Sequence, residues 1–186
     1  DYPYTHQGFD ETGSYGFAYE VVWSPDGTQL AFTMKVDAKP PVIAQLPARP
    51  EGARWAGAPR ITDRLKHEAD GAGYIDPGFT HIFVLPAEGG TALQLTSGDY
   101  NHGGSLSWSP DGRYIYFTSD RSGGPQVYRV AATGGTPERV TFEGSYNARP
   151  RLSPDGTRLA MVHNDRGNYR IAVMDLERRD LIVLSN

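Results

Sequence analysis

The 186-residue sequence predicts an all-β fold, a β-propeller of four-stranded antiparallel blades, about three of which lie in this chain. Three observations point there. A Ser-Pro-Asp-Gly turn recurs inside a repeated apolar pattern, the segments around it alternate apolar and polar residues with period two, and turn residues are mixed with many aromatics. The chain holds 22 Gly and 14 Pro beside 3 Trp, 11 Tyr and 7 Phe. Breakers at that density oppose long helices, while the rings supply a core for packed sheets.

The repeat is explicit. VVWSPDGTQLAFT from Val21, LSWSPDGRYIYFT from Leu106 and PRLSPDGTRLAMV from Pro150 align, with turns beginning at Ser24, Ser109 and Ser153, at spacings of 85 and 44. A second landmark, an apolar residue followed by a hydroxyl, falls at Leu95-Thr96, Val140-Thr141 and Leu184-Ser185, at spacings of 45 and 44. The unit is therefore about 44 residues, a WD40-like length, and the first copy carries an insertion. Residues 1–186 read as one propeller domain, with blade 1 at about 13–97, blade 2 at about 98–142 and blade 3 at about 143–186. A β-sandwich with coincidental turns is the alternative, and two landmarks sharing one period weigh against it.

In the second copy the strands are expected at Gly104 to Trp108, Arg113 to Ser119, Pro125 to Ala131 and Thr136 to Phe142. Ser-Pro-Asp-Gly suits the first hairpin: Pro presets φ, Asp bonds its own backbone, and Gly takes φ > 0. Glu88-Gly89-Gly90 and Thr133-Gly134-Gly135 serve as turns between the third and fourth strands. The insertion, about residues 35–80, is rich in Pro and Ala, and Pro cannot donate to a central ladder. It reads as an extended excursion from the blade rim with its own edge hairpin. Its length, close to one blade, leaves a degenerate fourth blade as the alternative.

Composition excludes several functions. No 18-residue apolar run exists and the mean hydropathy is -0.51, so membrane insertion is not expected. DYPYTHQGFD lacks the features of a signal peptide, although one removed earlier would leave no trace. Zero Cys excludes disulfides and thiolate chemistry. A net charge of -4 argues against nucleic acid as a partner. The histidines and acids are scattered, so neither a metal nor a cofactor is expected. Asp26, Asp111 and Asp155 belong to the repeated turn, and Asp120-Arg121 and Asp165-Arg166 to the following hairpin loops. Asp70 and Asp76 lack the alternating acids of a calcium loop, and His67, His81 and His163 have no partner at ligand spacing. Gly103-Gly104-Ser105-Leu106-Ser107 departs from a nucleophile elbow in lying where an inner strand begins, so no catalytic residue is expected.

The informative constellation is the loop that enters each innermost strand: Gly13-Ser14-Tyr15-Gly16, Gly98-Asp99-Tyr100-Asn101-His102, and Gly144-Ser145-Tyr146-Asn147-Ala148-Arg149. In a propeller such loops converge at one mouth of the central channel. Tyr15, Tyr100, Asn101, His102, Tyr146, Asn147 and Arg149 are therefore the candidate binding residues for a protein or extended peptide. The Tyr rings could equally pack between blades. Asn101, His102, Asn147 and Arg149 are expected to be exposed.

WSPDG, IYFTSDRSGGPQVYRV, GSYNARPRLSPDG and GNYRIAVMDL, across about residues 107–185, resemble the C-terminal propeller of the TolB family. WSPDGTQLAFTMKVD and the stretch from PRITDRLKHEADG to SWSPDG, across about residues 21–111, are similar to the propeller of acylaminoacyl-peptidase-like members of the prolyl-oligopeptidase family. Two resemblances that change over between Asp111 and Gly124 suggest a chimaera. The TolB resemblance implies a periplasmic setting and a mouth that receives a lipoprotein through Tyr100 to His102 and Tyr146 to Arg149. The peptidase resemblance implies a substrate-gating accessory propeller, and no hydrolase domain is expected in this chain. An engineered propeller without a native ligand is the third reading.

Closure is the remaining problem. Propellers close with about four to eight blades, so three would leave two apolar blade faces uncovered. A two-fold axis turns three into six, so the expectation is a homodimer completing the ring, or blades supplied by another polypeptide.

Overall fold

The structure, a computed structural model, describes residues 20–38, 47–56, 61–62, 65, 67–71 and 73–184. Tyr15 lies outside them. The elements are all strands: β1 (Val21–Trp23), β2 (Gln29–Asp37), β3 (Glu68–Ala69), β4 (Gly73–Tyr74), β5 (Gly78–Pro86), β6 (Leu93–Gln94), β7 (His102–Trp108), β8 (Tyr114–Ser119), β9 (Gln126–Ala131), β10 (Glu138–Arg139), β11 (Tyr146–Leu152), β12 (Arg158–Asp165), β13 (Asn168–Asp175) and β14 (Leu181–Val183). They form three four-stranded sheets, ordered β1-β2-β5-β6, β7-β8-β9-β10 and β11-β12-β13-β14, and a two-stranded hairpin β3-β4. Every register given between adjacent strands is antiparallel.

The repeated turn works the same way three times. Ser24 Oγ donates to Asp26 Oδ1 at 2.6 Å while accepting from the Gln29 amide, and Asp26 Oδ1 also accepts from the Thr28 amide. Ser109 with Asp111 and Ser153 with Asp155 repeat the pattern onto Tyr114 and Arg158. The serine hydroxyl first, and backbone amides second, hold these carboxyls below their usual range, Asp155 at about 2. Their roles are structural.

Alternation along the strands gives the second sheet two buried faces. Ile115, Phe117, Tyr128 and Val130 pack with Leu106 and Trp108 against Ala31, Ile82, Val84 and Leu95 of the first sheet. The opposite face turns Tyr116 and Val127 onto Leu159, Met161 and Met174 of the third. The outer faces are apolar too. Val22 packs toward the second sheet, so its neighbours Val21 and Trp23 point away, and Trp23 is 61% exposed. At the other end Leu181 packs inward, so Ile182, paired with Val173, points away and is also 61% exposed.

Inner strands of different sheets are tied by polar bonds. Arg151 on β11 donates to the Leu106 carbonyl on β7 at 2.9 Å and reaches Glu20, just ahead of β1, at 3.5 Å. Both β7 and β11 are bulged, with Gly104 at φ 66°, Ser105 at φ 79° and Arg149 at φ 57°. The Thr118 hydroxyl bridges the bulges, accepting from the Arg149 amide at 3.1 Å and donating to the Gly104 carbonyl at 3.3 Å.

Residues 19–36 with 79–186 make one compact unit, and 37–78 belong to another. The described part of the latter contains the expected hairpin, with His67 stacked on Tyr74 and the Ile75 amide bonded to the His67 carbonyl at 2.8 Å. Its ends are adjacent, the Ala38 amide donating to the Pro77 carbonyl at 3.3 Å.

Candidate functional site

The loops that enter β7 and β11 fold as they do because each ends on a buried polar anchor. Asn147, the second residue of β11, lies opposite His163, and its side chain is fully buried. Its Nδ2 donates to Gln126 Oε1 at 2.9 Å and to the Glu143 carbonyl at 2.7 Å, while its Oδ1 meets His163 Nδ1 at 2.8 Å. Thr141 Oγ1 completes the network, donating to Gln126 Oε1 at 2.8 Å and accepting from the Val127 amide at 2.9 Å. Gly144, at φ 76°, is required there, because a Cβ would overlap the His163 ring and stand 2.8 Å from the Asn164 carbonyl oxygen.

His102 holds the corresponding place at the start of β7. It pairs with Ser119 as Asn147 pairs with His163, and both partners stand ten residues beyond their turn serine, Ser109 or Ser153. His102 precedes Ser109 by seven residues and Asn147 precedes Ser153 by six, the difference falling in the Gly104-Ser105 bulge. His102 is 1% exposed, its ring lies tilted against that of His81 with centroids 5.3 Å apart, and neither of its nitrogens makes a well-formed hydrogen bond. Burial, then the Arg121 charge, then His81 push its pKa down to about 3, against a small opposing effect of the Ser97 backbone. His81 moves the same way for the same leading cause, with Thr96 Oγ1 at 3.4 Å from its Nδ1.

The expectation of exposure thus fails for His102 and Asn147: both are interior, because the pleat of each inner strand turns these side chains into the joint where two sheets meet. Asn101 and Arg149 are exposed. Asn101 is nevertheless occupied, its amide and Nδ2 donating to the two Asp120 carboxylate oxygens and its Oδ1 accepting from the Thr80 amide. Tyr100 is 42% exposed and rests on Arg121, whose guanidinium lies 5.5 Å from its ring and 5.4 Å from that of Tyr128. Tyr146 is half-buried, edge-on to Tyr169 at 5.2 Å. Arg149 sits in the β11 bulge with its side chain in solvent.

Sequence reasoning missed Arg121, Gln126 and Arg151. In the sequence Asp120 and Arg121 stand only as hairpin residues, and the signal that raises them is a charged pair lying next to an exposed Tyr in the neighbouring loop. Ser105 lies inside the β7 bulge, not at a strand-to-helix elbow. Among the described residues no three His, Cys, Asp or Glu side chains cluster as metal ligands, and no helix is long and apolar enough to cross a membrane.

Comparison with known proteins gives a consistent picture. Residues 74–186 match the family described as TolB beta propeller domain. An uncharacterized protein of Agrobacterium fabrum is 30% identical over 172 residues, covering 83% of this chain and 56% of its own length, an alignment that crosses Asp111 to Gly124. The Tol-Pal system protein TolB of Bordetella pertussis is 35% identical over 117 residues, covering 61% of this chain and 27% of its own. The chain thus spans about half the length of the first relative and about a quarter of the second. Among solved structures, TolB from Acinetobacter baumannii superposes with a TM-score of 0.59 at 26% identity, over 90% of this chain and 32% of that one. A puromycin-hydrolyzing peptidase of Mycobacterium tuberculosis has the same fold, with a TM-score of 0.55 at 21% identity over 90% and 22%.

Two measurements check the anchors. Asn147→Leu, which removes bonds to the buried Gln126 and His163 and to the Glu143 carbonyl, should lower unfolding stability in denaturant by about 2–4 kcal/mol, whereas Arg149→Ala should change it by less than about 1 kcal/mol. For His102 the folded pKa lies below the unfolded value near 6.5, so the unfolded state takes up the proton first and stability falls as pH drops from about 6.5 toward 3. His102→Asn should flatten that part of the melting temperature profile against pH.

Proposed function

The chain belongs to the TolB beta propeller domain family, and from that premise we propose that it is a non-enzymatic docking module, receiving a protein or extended peptide on the loops that enter its inner strands. The observation that carries the reading is that the loop into β7 presents a held aromatic and the β11 bulge an exposed cation without an ion-pair partner among the described residues. Tyr100 is exposed yet fixed by the stack with Arg121, so it can cover an incoming chain with little further loss of rotamer freedom. Arg149 is presented by a bulge whose backbone is already bonded to Thr118, leaving its guanidinium for a carbonyl or carboxylate of the partner. Tyr146 adds a half-covered ring, and Tyr15 stays in the proposed set from its place in the repeat. Asn101, His102 and Asn147 enter this reading as positioning residues that hold the loops.

The two exposed apolar outer faces support the second part of the proposal. Trp23 and Val21 at one end and Ile182 at the other form surfaces of the kind blades bury against one another, and a second copy related by a two-fold axis would cover both at once, making six blades from two sets of three.

Peptides selected from a random library on the wild-type protein should lose at least about tenfold in affinity on Tyr100→Ala and on Arg149→Ala with melting temperature retained, and equal binding by both variants would refute the mouth as the site. Turnover of chromogenic acyl-peptides would refute the non-enzymatic reading. Light scattering during size exclusion should give about twice 20.4 kDa, and a stable particle near the single-chain mass would rule out the two-fold ring.

A further inference from the structure

A second surface lies between the second and third sheets, lined in part by the buried Asn147 that anchors the loop into β11. The link from β10 to β11 passes over β12, β13 and β14 and leaves a cavity of about 250 Å³ floored by Val140, Met161, Met174 and Leu181. That volume is below the ~300–1,000 Å³ of sites for drug-sized ligands and suits one bulky side chain. The floor is soft, since two of its members are methionines, whose unbranched chains adapt to different occupants.

The rim is polar in a one-sided way. Phe142, 59% exposed, stands between two guanidiniums, with Arg139 5.1 Å and Arg179 5.6 Å from its ring. Arg139 spends its Nε on the Thr141 carbonyl. Among the described residues neither arginine has a carboxylate within ion-pairing distance. Arg179 keeps a left-handed backbone, φ 63°, in the turn that its amide closes onto the Asp175 carbonyl at 2.8 Å. Glu143 lines the cavity as well, leaving one acid against two bases around the opening. Beside it, β14 is the last strand of its sheet, with a backbone edge that no described strand covers.

We infer that this groove binds an extended acidic peptide segment of a partner protein, which seats one large apolar side chain between Met161 and Met174 and sets a neighbouring carboxylate on Arg179 and Arg139. The β14 edge supplies main-chain hydrogen bonds alongside, as in strand addition. The anchor contributes buried area and the carboxylate contributes register, because a basic or neutral neighbour would leave both guanidiniums desolvated without a partner.

The chain's three methionines make the test specific. Met161 and Met174 lie in the groove, and Met34, on β2 of the first sheet, is a reference within the same molecule. With methyl-labelled methionine, the capped peptide acetyl-Ser-Asp-Phe-Glu-Ser-amide should shift the Met161 and Met174 signals saturably and leave Met34 unmoved. Replacing its two acids by lysine, or its phenylalanine by alanine, should weaken binding by about tenfold or more. Arg179→Asn, chosen because Asn tolerates positive φ, should do the same with the methyl spectrum of the free protein preserved. The inference is overturned if the two groove methyls stay still at millimolar peptide, if Met34 moves with them, or if the lysine peptide or the Arg179→Asn protein binds equally well.

Discussion

The carboxamide of Asn147 sets how the third sheet can stand against the second. It reaches a side chain of the second sheet, a ring of its own sheet and the connecting backbone at once, and both side-chain partners, Gln126 and His163, are buried. In a poorly polarisable interior every one would cost free energy if left alone, so the joint is favourable only when all are satisfied together. The joint between the first and second sheets has the same outline and different chemistry. There His102 sits without a well-formed hydrogen bond, and the apolar layer is larger, ten buried residues against five. One joint is held by directional bonds over a small core, the other by area around an imperfectly satisfied ring.

Much of the architecture was legible in the sequence because turns and alternation are local properties. Ser24, Ser109 and Ser153 announced the hairpins, and all four strands of the second sheet begin within two residues of those expected from the alternation, but the last ends three residues early. Thr136 to Phe142 was expected as a strand, yet only Glu138–Arg139 pairs, because Thr141 turns inward to bond the Val127 amide and Phe142 departs with the link. Of the loop residues expected to be exposed, Asn101 and Arg149 are, while His102 and Asn147 are buried. The β7 bulge holds one residue more than the β11 bulge, which puts His102, not Asn101, in the place that Asn147 takes, and nothing in the Tyr-Asn pairing of the two loops reveals that shift. Contacts made across sheets, such as Arg151 to Leu106 and Glu20, join residues far apart in the chain and leave no local pattern to read.

The insertion between β2 and β5 bears on how such a chain can change over time. Its two stems leave and return side by side, one hydrogen bond apart at Ala38 and Pro77, between strands that are themselves neighbours in the sheet. The entropy of closing a loop rises only with the logarithm of its length, so what hangs from that point can be lengthened, shortened or exchanged at little thermodynamic penalty to the sheet. The position is a natural graft point, where new modules could be tried by recombination while the frame that carries them goes on folding as before.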